Sequence, residues 1–311
     1  MTKFKKQNKI AAVFFFLMFG LVFFPSLASA QMYRIYFSPI VKEIYQDDIF
    51  ILELRISSLD QKINAADVSL LFDKDKLEVK DLNTGGSLFT LWPQKPVFSN
   101  EEGKISFVGG TPNGFQGENA LVLKIIFLAK NKGKAKIDFQ DTTLFFLADG
   151  KGTPINPWLK SLTLNILGRP ATELNPKNEW QSLKELDKIP PEPFEIKLSR
   201  DPSIFNNQYF ITFFTTDKES GIDHYEIKEG AGPYVVGNAP YLLKDQKLKS
   251  IIRVKAVDKA GNSQIAEILP RKPLKWYENW EIWIMIIVAI VIIWLILLIF
   301  RKRRYLSRFS N

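Results

Sequence analysis

Residues 47–79, which read DDIFILELRISSLDQKINAADVSLLFDKDKLEV, decide the fold class of this chain. They contain two apolar runs, 49–56 and 67–72, each of a length typical of one β-strand. An aspartate-rich turn at 73–75 follows the second run. Short apolar runs that end in polar turn residues, with no helical period, predict antiparallel β-structure.

The same pattern continues through residues 31–168, which we predict to form one domain. Glycine, asparagine and aspartate separate the short apolar runs, and no long amphipathic helix lies between them. Many strands at short spacing without intervening helices favour an antiparallel sandwich or jelly roll. Further strands are predicted at 104–108, 121–129, 136–139, 143–147 and 159–167.

Residues 169–193 differ, because they hold five prolines and little apolar periodicity. This composition predicts a linker between two domains. Within the linker, residues 178–189 fit either one short helix or a disordered stretch. Residues 194–270 return to strand patterning, and their spacing predicts an immunoglobulin-like or fibronectin-like sandwich.

The net charge of +9 comes from the two ends of the chain. Four lysines lie in the first nine residues and five basic residues in the last eleven, with no acidic residue among them. The remaining 33 basic residues balance the 33 acidic ones. A nucleic-acid-binding protein needs a basic patch on its folded part, so the charge distribution argues against that class.

The N-terminus has the pattern of a secretory signal peptide. An uncharged apolar run at 10–24 follows the lysines, and the small residues Ala28-Ser29-Ala30 follow the run. We predict cleavage of residues 1–30 and a mature chain that begins at Gln31. The alternative is an uncleaved anchor, but such a run spans only about 22 Å as a helix, less than the ~30 Å hydrocarbon core.

A second uncharged run at 282–300 predicts a transmembrane helix. Tryptophan and tyrosine in the juxtamembrane segment 271–281 suit the headgroup level, and a basic tail, 301–311, follows the run. Basic residues stay in the cytoplasm, so we predict a single pass through the cytoplasmic membrane with the domains outside. A buried core helix is the alternative. The residues that set this topology are Arg301, Lys302, Arg303 and Arg304.

The sequence offers little for catalysis. It has no cysteine and one histidine, His224, which excludes thiol chemistry and cysteine-based metal sites and argues against catalytic zinc. A Ser-His-Asp triad would have to use His224, which lies at the start of a predicted strand, so a surface or packing role is favoured. We predict no catalytic residue and no cofactor.

Two groups of acidic residues raise the question of structural calcium. Hard cations take six or more oxygen ligands, and neither group has the glycine and terminal glutamate of an EF-hand loop. We therefore favour turn capping over calcium binding. The groups are Asp73, Asp75 and Asp81, and Asp217, Glu219 and Asp223.

The stretch quoted above resembles a cohesin domain, as do Gly85-Gly86, residues 103–107 and residues 132–137 in their order and spacing. The resemblance covers roughly 33–168. It implies a nine-stranded jelly roll, related to carbohydrate-binding modules, that binds dockerin modules of polysaccharide-degrading enzymes. A dockerin-facing aspartate of that family falls at Asp67, and Ala65 stands where the family often has asparagine.

The second domain resembles bacterial immunoglobulin-like or fibronectin-type modules of surface proteins. Residues 217–227 and 254–262 carry the likeness. The second of these ends in Asp258-Lys259-Ala260-Gly261-Asn262, a strand-to-turn pattern. In such a turn Gly261 suits a positive φ, and the Asp258 and Asn262 side chains can bond the backbone.

These observations predict an all-β, membrane-anchored binding protein of the cell surface that is not an enzyme. The partner-binding residues proposed from the sequence are Asp67, Trp92 and Phe115. The two rings lie in segments rich in glycine and proline, where they either contact a partner or plug the ends of the sandwich. The partner is a dockerin-like or other exported protein module. Direct polysaccharide binding is the alternative, and a surface hydrolase is a third class.

Overall fold

The computed structural model describes residues 33–39, 43–170, 175–271 and 280–307, with the backbone alone for 299–307. The predicted signal peptide lies outside the described residues. The chain forms two compact units. The first contains the residues up to Ile189 together with Thr216–Ile222, and the second contains Pro190–Thr215 and the residues from Asp223 onwards. The first unit therefore takes in part of the segment that the composition predicts to be a linker.

The fold is mostly β, as predicted. In the described part of the first unit, strands of one continuous sheet fold over into two layers. Two of them, β3 and β6, are long enough to run through both layers. The strands are β1 Arg34–Ser38, β2 Ile44–Tyr45, β3 Ile49–Phe72, β4 Leu77–Asn83, β5 Leu91–Ser99, β6 Lys104–Ala129, β7 Gly133–Phe139, β8 Leu144–Leu147, β9 Pro154–Ile155, β10 Trp158–Leu159 and β11 Leu162–Leu167.

The front sheet contains β5, residues 104–110 of β6, residues 65–72 of β3, and β8; β7 pairs with residues 70–72 of β3, and β11 pairs with β7. The back sheet consists of β4, residues 120–129 of β6, residues 49–58 of β3, β1 and β10. The pairing of β3 with β6 shifts register between the two halves, and this irregularity lets both strands bend from one layer to the other.

The core lies between the two layers because alternate residues of each strand face inward. In β3 the side chains of Leu52, Leu54, Val68 and Leu70 are buried, and they come from both layers. Aromatic rings join the layers further: Phe127 packs on Phe50 and Phe72, with ring centroids 5.8 and 5.5 Å apart. Each fully buried side chain of this size stabilises the fold by about 1.5–3 kcal/mol.

A short helix, α1 (Glu179–Leu186), belongs to the first unit. The Asn178 side chain accepts a hydrogen bond from the Gln181 amide and so caps the helix. Glu179 accepts a hydrogen bond from the Ile51 amide of β3 at 2.9 Å, and Trp180 is buried. Of the two alternatives for 178–189, the structure therefore shows the helix, stabilised by its cap and its contact with the back sheet.

An ion pair joins the segment that precedes α1 to the turn before β3. Arg169 Nη2 lies 2.6 Å from Asp48 Oδ1, and both side chains are largely buried. The same carboxylate accepts hydrogen bonds from the Tyr45 and Lys177 amides at 2.9 and 2.8 Å. Burial by itself would raise the pKa of Asp48, but these hydrogen bonds and the charge of Arg169 hold the pKa below its ordinary value.

The second unit has two sheets, as an immunoglobulin-like sandwich requires. Its core contains Ile211, Ile227 and Val254, one from each of three strands. The predicted turn is present: Asp258 Oδ1 accepts hydrogen bonds from the Ala260 and Asn262 amides, and Gly261 has φ +92°. One sheet orders β12 Ile196–Asp201, β13 Ile204–Phe213 and β16 Tyr241–Leu242; the other orders β15 Val235–Val236, β14 Ile222–Glu229, β17 Ile252–Asp258 and β18 Ser263–Ile268.

A C-terminal helix, α2, spans Trp280–Ser307. Its segment Trp280–Leu298 is long and apolar enough to cross a membrane, and none of it is buried within the described structure. The positions Arg301, Lys302, Arg303 and Arg304 fall where only the backbone is described, so their role in topology stays a prediction. Trp276 and Tyr277 of the juxtamembrane segment lie outside the described residues.

Replacing Asp48 by asparagine is expected to lower the free energy of unfolding by about 3 kcal/mol at pH 7, because Arg169 would lose its buried partner. The folded pKa of Asp48 is depressed, so its contribution is present at neutral pH. It is lost as the pH falls below the unfolded value of 3.8 and through the folded pKa. Guanidinium unfolding of the full chain in detergent micelles, followed by circular dichroism at pH 7 and pH 3, measures both effects.

The matched control is Glu78→Gln, which removes an ion pair with Lys80 that is far more exposed. Its effect should stay below about 1 kcal/mol. Equal losses in the two variants at pH 7 would contradict a structural role for the Asp48–Arg169 pair.

Candidate functional site

The outer surface of the front sheet, here called the open face, contains the predicted residue Asp67. Ala66, Val68 and Leu70 are buried in the core, so the intervening residues of β3 point outward. Asp67 pairs with Val108 of β6 on one side and with Leu144 of β8 on the other. Asp67 thus lies in the interior of a four-stranded surface and is exposed there.

Exposed apolar side chains lie elsewhere on the same sheet. Val97 of β5 is 51% exposed, Leu91 of the same strand is 53% exposed, and Leu71 of β3 is 41% exposed. Val97 pairs with Ser106 of β6, and Leu91 pairs with Gly110, so both belong to the same sheet as Asp67. Apolar side chains grouped on one surface are typical of an interaction site.

The Asp67 carboxylate is exposed to solvent. Among the described residues it accepts no hydrogen bond and forms no ion pair. The strand beneath it is held firmly, because the Thr143 hydroxyl accepts a hydrogen bond from the Ser69 amide and donates one to the Ser69 carbonyl. The open face therefore presents the Asp67 carboxylate on a strand that side-chain hydrogen bonds tie to the segment after β7.

The edge of the front sheet is protected from strand addition. In the described part of the chain, β5 pairs with β6 alone and forms an edge. It contains Pro93 and Pro96, which have no amide hydrogen to offer an incoming strand. The surface of this sheet is therefore more accessible to hydrogen-bonding groups than its edge is.

The two aromatic residues proposed with Asp67 pack against the core. The Trp92 ring makes edge contacts with Phe89 and Phe107 at centroid distances of 5.9 and 5.7 Å. Gly109 leaves room for this ring, since a Cβ there would lie 2.9 Å from it. Phe115 is also partly buried against the same core. Asp67 lies on the open face, whereas both rings lie at the rim of the core.

Sequence reasoning missed Leu71, Leu91 and Val97. A period-two pattern would place Leu71 outward, because Leu70 and Phe72 beside it point inward. The signal was present, but an apolar residue inside an apolar run is usually read as core. Only the pairing of the strands shows that these three side chains share one exposed surface.

The outer surface of the back sheet, here called the covered face, is closed by the chain itself. Leu52 and Leu54 of β3 point into the core, so Ile51 and Glu53 beside them point outward. The β6 residues that pair with Ile51 and Glu53 point outward too. Two of these outward residues, Ile126 and Lys124, are nevertheless 0% and 8% exposed. The two faces of the domain therefore differ: Ile126 and Lys124 are buried on the covered face, whereas Leu71, Leu91 and Val97 are exposed on the open face.

Three of the acidic residues considered for calcium accept hydrogen bonds in turns or form a surface pair. Asp73 accepts a hydrogen bond from the Asp75 amide at 3.1 Å. Asp217 accepts hydrogen bonds from the Glu219 and Gly221 amides at 3.0 and 2.7 Å. Asp223 lies 2.6 Å from His224 Nδ1 in an exposed pair, which is a surface role for the single histidine.

Comparison with known proteins identifies the domain. Residues 39–165 match the family model of the cohesin domain, so the resemblance seen in the sequence is confirmed. A search of curated proteins finds no match.

Solved structures that are similar to part of this chain include several cohesins. One is the sixth cohesin of scaffoldin B from Acetivibrio cellulolyticus, in complex with a mutant Cel5 dockerin, with 16% identity and TM-score 0.37 over 44% of this chain and 99% of that chain. Another is a cohesin module of a family 33 glycoside hydrolase from Clostridium perfringens, with 16% identity and TM-score 0.37 over 45% of this chain and 100% of that chain. A third is a non-cellulosomal cohesin from Archaeoglobus fulgidus, with 18% identity and TM-score 0.37 over 44% of this chain and 92% of that chain.

Replacing Trp92 by alanine is expected to destabilise the first unit by about 2–3 kcal/mol, because the ring fills the rim of the core. Trp158, which is 47% exposed on β10, serves as the control, and Trp158→Ala should cost less than about 1 kcal/mol. Guanidinium unfolding followed by circular dichroism gives both values. Equal stability of the two variants would show that Trp92 has no packing role.

Proposed function

We propose that this protein is a surface-displayed binding protein, and that its cohesin domain captures a dockerin-like module of an exported protein on the open face. The observation that carries the proposal is the position of Asp67, an exposed carboxylate that has no partner among the described residues and lies in the interior of a partly apolar sheet. The cohesin match to residues 39–165 supports it. The role is binding, with no catalytic step.

The chemistry of the open face indicates what the partner presents. Burial of Leu71, Leu91 and Val97 would contribute about 25 cal/mol per Å² of apolar surface removed from water. Asp67 would be dehydrated in the complex, which is costly unless the partner donates a hydrogen bond or a positive charge to it. The partner is therefore expected to bring apolar side chains and at least one donor placed opposite Asp67.

Affinity should depend weakly on salt. Once the charges at the two ends are set aside, basic and acidic residues of the chain are equal in number. Without a net field to attract a charged partner, recognition depends on shape and on local contacts.

Two substitutions on the open face test the proposal. Asp67→Arg and Val97→Asp each place a charge where the complex would bury it, so we expect the dissociation constant to rise about 100-fold. The measurement is surface plasmon resonance of the full chain in detergent micelles against immobilised dockerin modules encoded in the same genome. Failure of the unmodified chain to bind any of them would count against dockerin capture.

Matched controls make the same chemical changes elsewhere. Asp75→Arg reverses an exposed charge in the turn between β3 and β4. Val236→Asp replaces a valine of the second unit that is 70% exposed. Both controls should bind like the unmodified chain, and a matching loss in the controls would contradict the assignment of the open face.

We further propose that α2 anchors the protein in the cytoplasmic membrane, with both units outside and the basic tail in the cytoplasm. The length and apolar character of Trp280–Leu298 support this topology. A cohesin held in this way would retain an exported partner at the cell surface, and a polysaccharide-degrading enzyme is one such partner. Direct polysaccharide binding stays an alternative prediction from the sequence.

Ending the chain after Arg271 is expected to move the protein from the membrane fraction to the medium, because the apolar helix is removed. Fractionation followed by immunoblotting measures the change.

Protease added to intact cells should digest the two units of the full chain and leave the tail. Retention of the shortened chain in the membrane would contradict anchoring by α2, and protection of the units would contradict the orientation.

A further inference from the structure

The segment Thr216–Ile222, here called the clasp, belongs to the first unit although it follows β13 in the chain. It lies over the covered face, where β4 and β6 pair through Asn83 and Lys124. Both of these residues are polar and buried, at 0% and 8% exposure. Polar groups buried in this way need hydrogen-bond partners, and the clasp supplies them.

The clasp is joined to the covered face by main-chain hydrogen bonds. Lys124 Nζ donates to the carbonyl oxygens of Glu219 at 2.8 Å and Lys218 at 3.3 Å. Asn83 Nδ2 donates to the same Glu219 carbonyl at 3.1 Å. The Gly86 amide donates to the Asp217 carbonyl, also at 3.1 Å. All of these bonds end on main-chain carbonyl groups of the clasp. They therefore depend on the conformation of the clasp backbone and not on the identity of its side chains.

Two glycines let the backbones approach this closely. A Cβ at Gly221 would lie 2.2 Å from Asn83 Oδ1, and the residue has φ +77°. A Cβ at Gly85, on the other side of the contact, would lie 2.8 Å from the Glu219 carbonyl oxygen. Neither position can accept a larger residue unless the clasp moves away.

The clasp is also shaped in advance. Asp217 Oδ1 accepts the amide hydrogens of Glu219 and Gly221, which folds the segment into a turn. The Ser220 amide donates a hydrogen bond to Asp187 Oδ2 at 3.1 Å. Asp187 directly follows the last residue of α1. Burial lowers the pKa of Lys124, while the nearby carboxylates oppose this effect.

We propose that the clasp is an intramolecular lid that closes the covered face, so that the cohesin domain presents a single surface to other proteins. Closure turns Lys124 and Asn83 from exposed groups on a sheet into satisfied, buried ones. The lid is supplied by a segment far along the chain, so the cohesin domain of this protein is completed by residues outside 39–165. The proposal concerns the covered face and does not depend on the identity of any partner.

Amine acetylation of the full chain in detergent micelles tests the lid. N-hydroxysuccinimidyl acetate is added, and the rate at each lysine is read by peptide mass spectrometry. In the unmodified chain Lys124 should react at least tenfold more slowly than the exposed Lys134. Gly221→Ala and Gly85→Ala insert a methyl group from opposite sides of the contact, and each should raise the rate at Lys124 at least tenfold.

The matched control is Gly150→Ala. Gly150 lies in the first unit with φ +75°, nearly the same strained backbone as Gly221, but a Cβ there meets nothing within 4 Å. Lys124 should stay protected in this variant. Amide hydrogen exchange of Val68 and Phe107 reports in every variant whether the core remains folded.

Lys124→Met provides a second measurement should a glycine variant lose its core. It removes the ammonium donor without adding bulk, so the Ser220 and Gly221 amides should exchange at least tenfold faster while Val68 stays protected. The proposal is overturned if Lys124 of the unmodified chain reacts as fast as Lys134. It is equally overturned if folded glycine variants protect Lys124 as well as Gly150→Ala does, or if Lys124→Met leaves exchange of the clasp unchanged.

Discussion

The antiparallel pairing of β3 with β6 is the constraint on which the first unit depends. Both strands run from the back sheet into the front sheet, and their register shifts where they bend. Because side chains alternate along a strand, this single pairing decides which residues enter the core in both layers. A slip of one residue would move Leu54 and Val68 to the outside and would bring Asp67 into the core.

The same pairing creates two outer faces that differ in their exposure to solvent. On the back sheet, α1 and the clasp cover the outward residues, and Lys124 finds its partners in the carbonyl groups of the clasp. On the front sheet, Val97 and Leu71 stay exposed around Asp67. A domain that covers part of one outer face with its own chain and leaves apolar side chains exposed on the other is suited to bind a partner on one side.

Much of this fold could be predicted from local pattern. The runs at 49–56 and 67–72 predict strands, and the structure shows them as the two halves of β3. The Asp258 turn follows from short-range chemistry, in which a side chain bonds the backbone a few residues away. The order and spacing of the motifs within residues 33–168 carry the cohesin resemblance, and the family match to residues 39–165 confirms it.

The sequence by itself therefore determined the strands, their turns, the cohesin resemblance and the apolar character of the C-terminal helix, since each of these depends on neighbours in the chain. Tertiary structure alone decided which surface is open and which is covered. The Asp217 turn resembles a motif of the second domain, yet it completes the first unit through Asn83 and Lys124. Contacts between residues so far apart in the chain leave no periodic signal, because they depend on where the folded backbone brings two separate segments together.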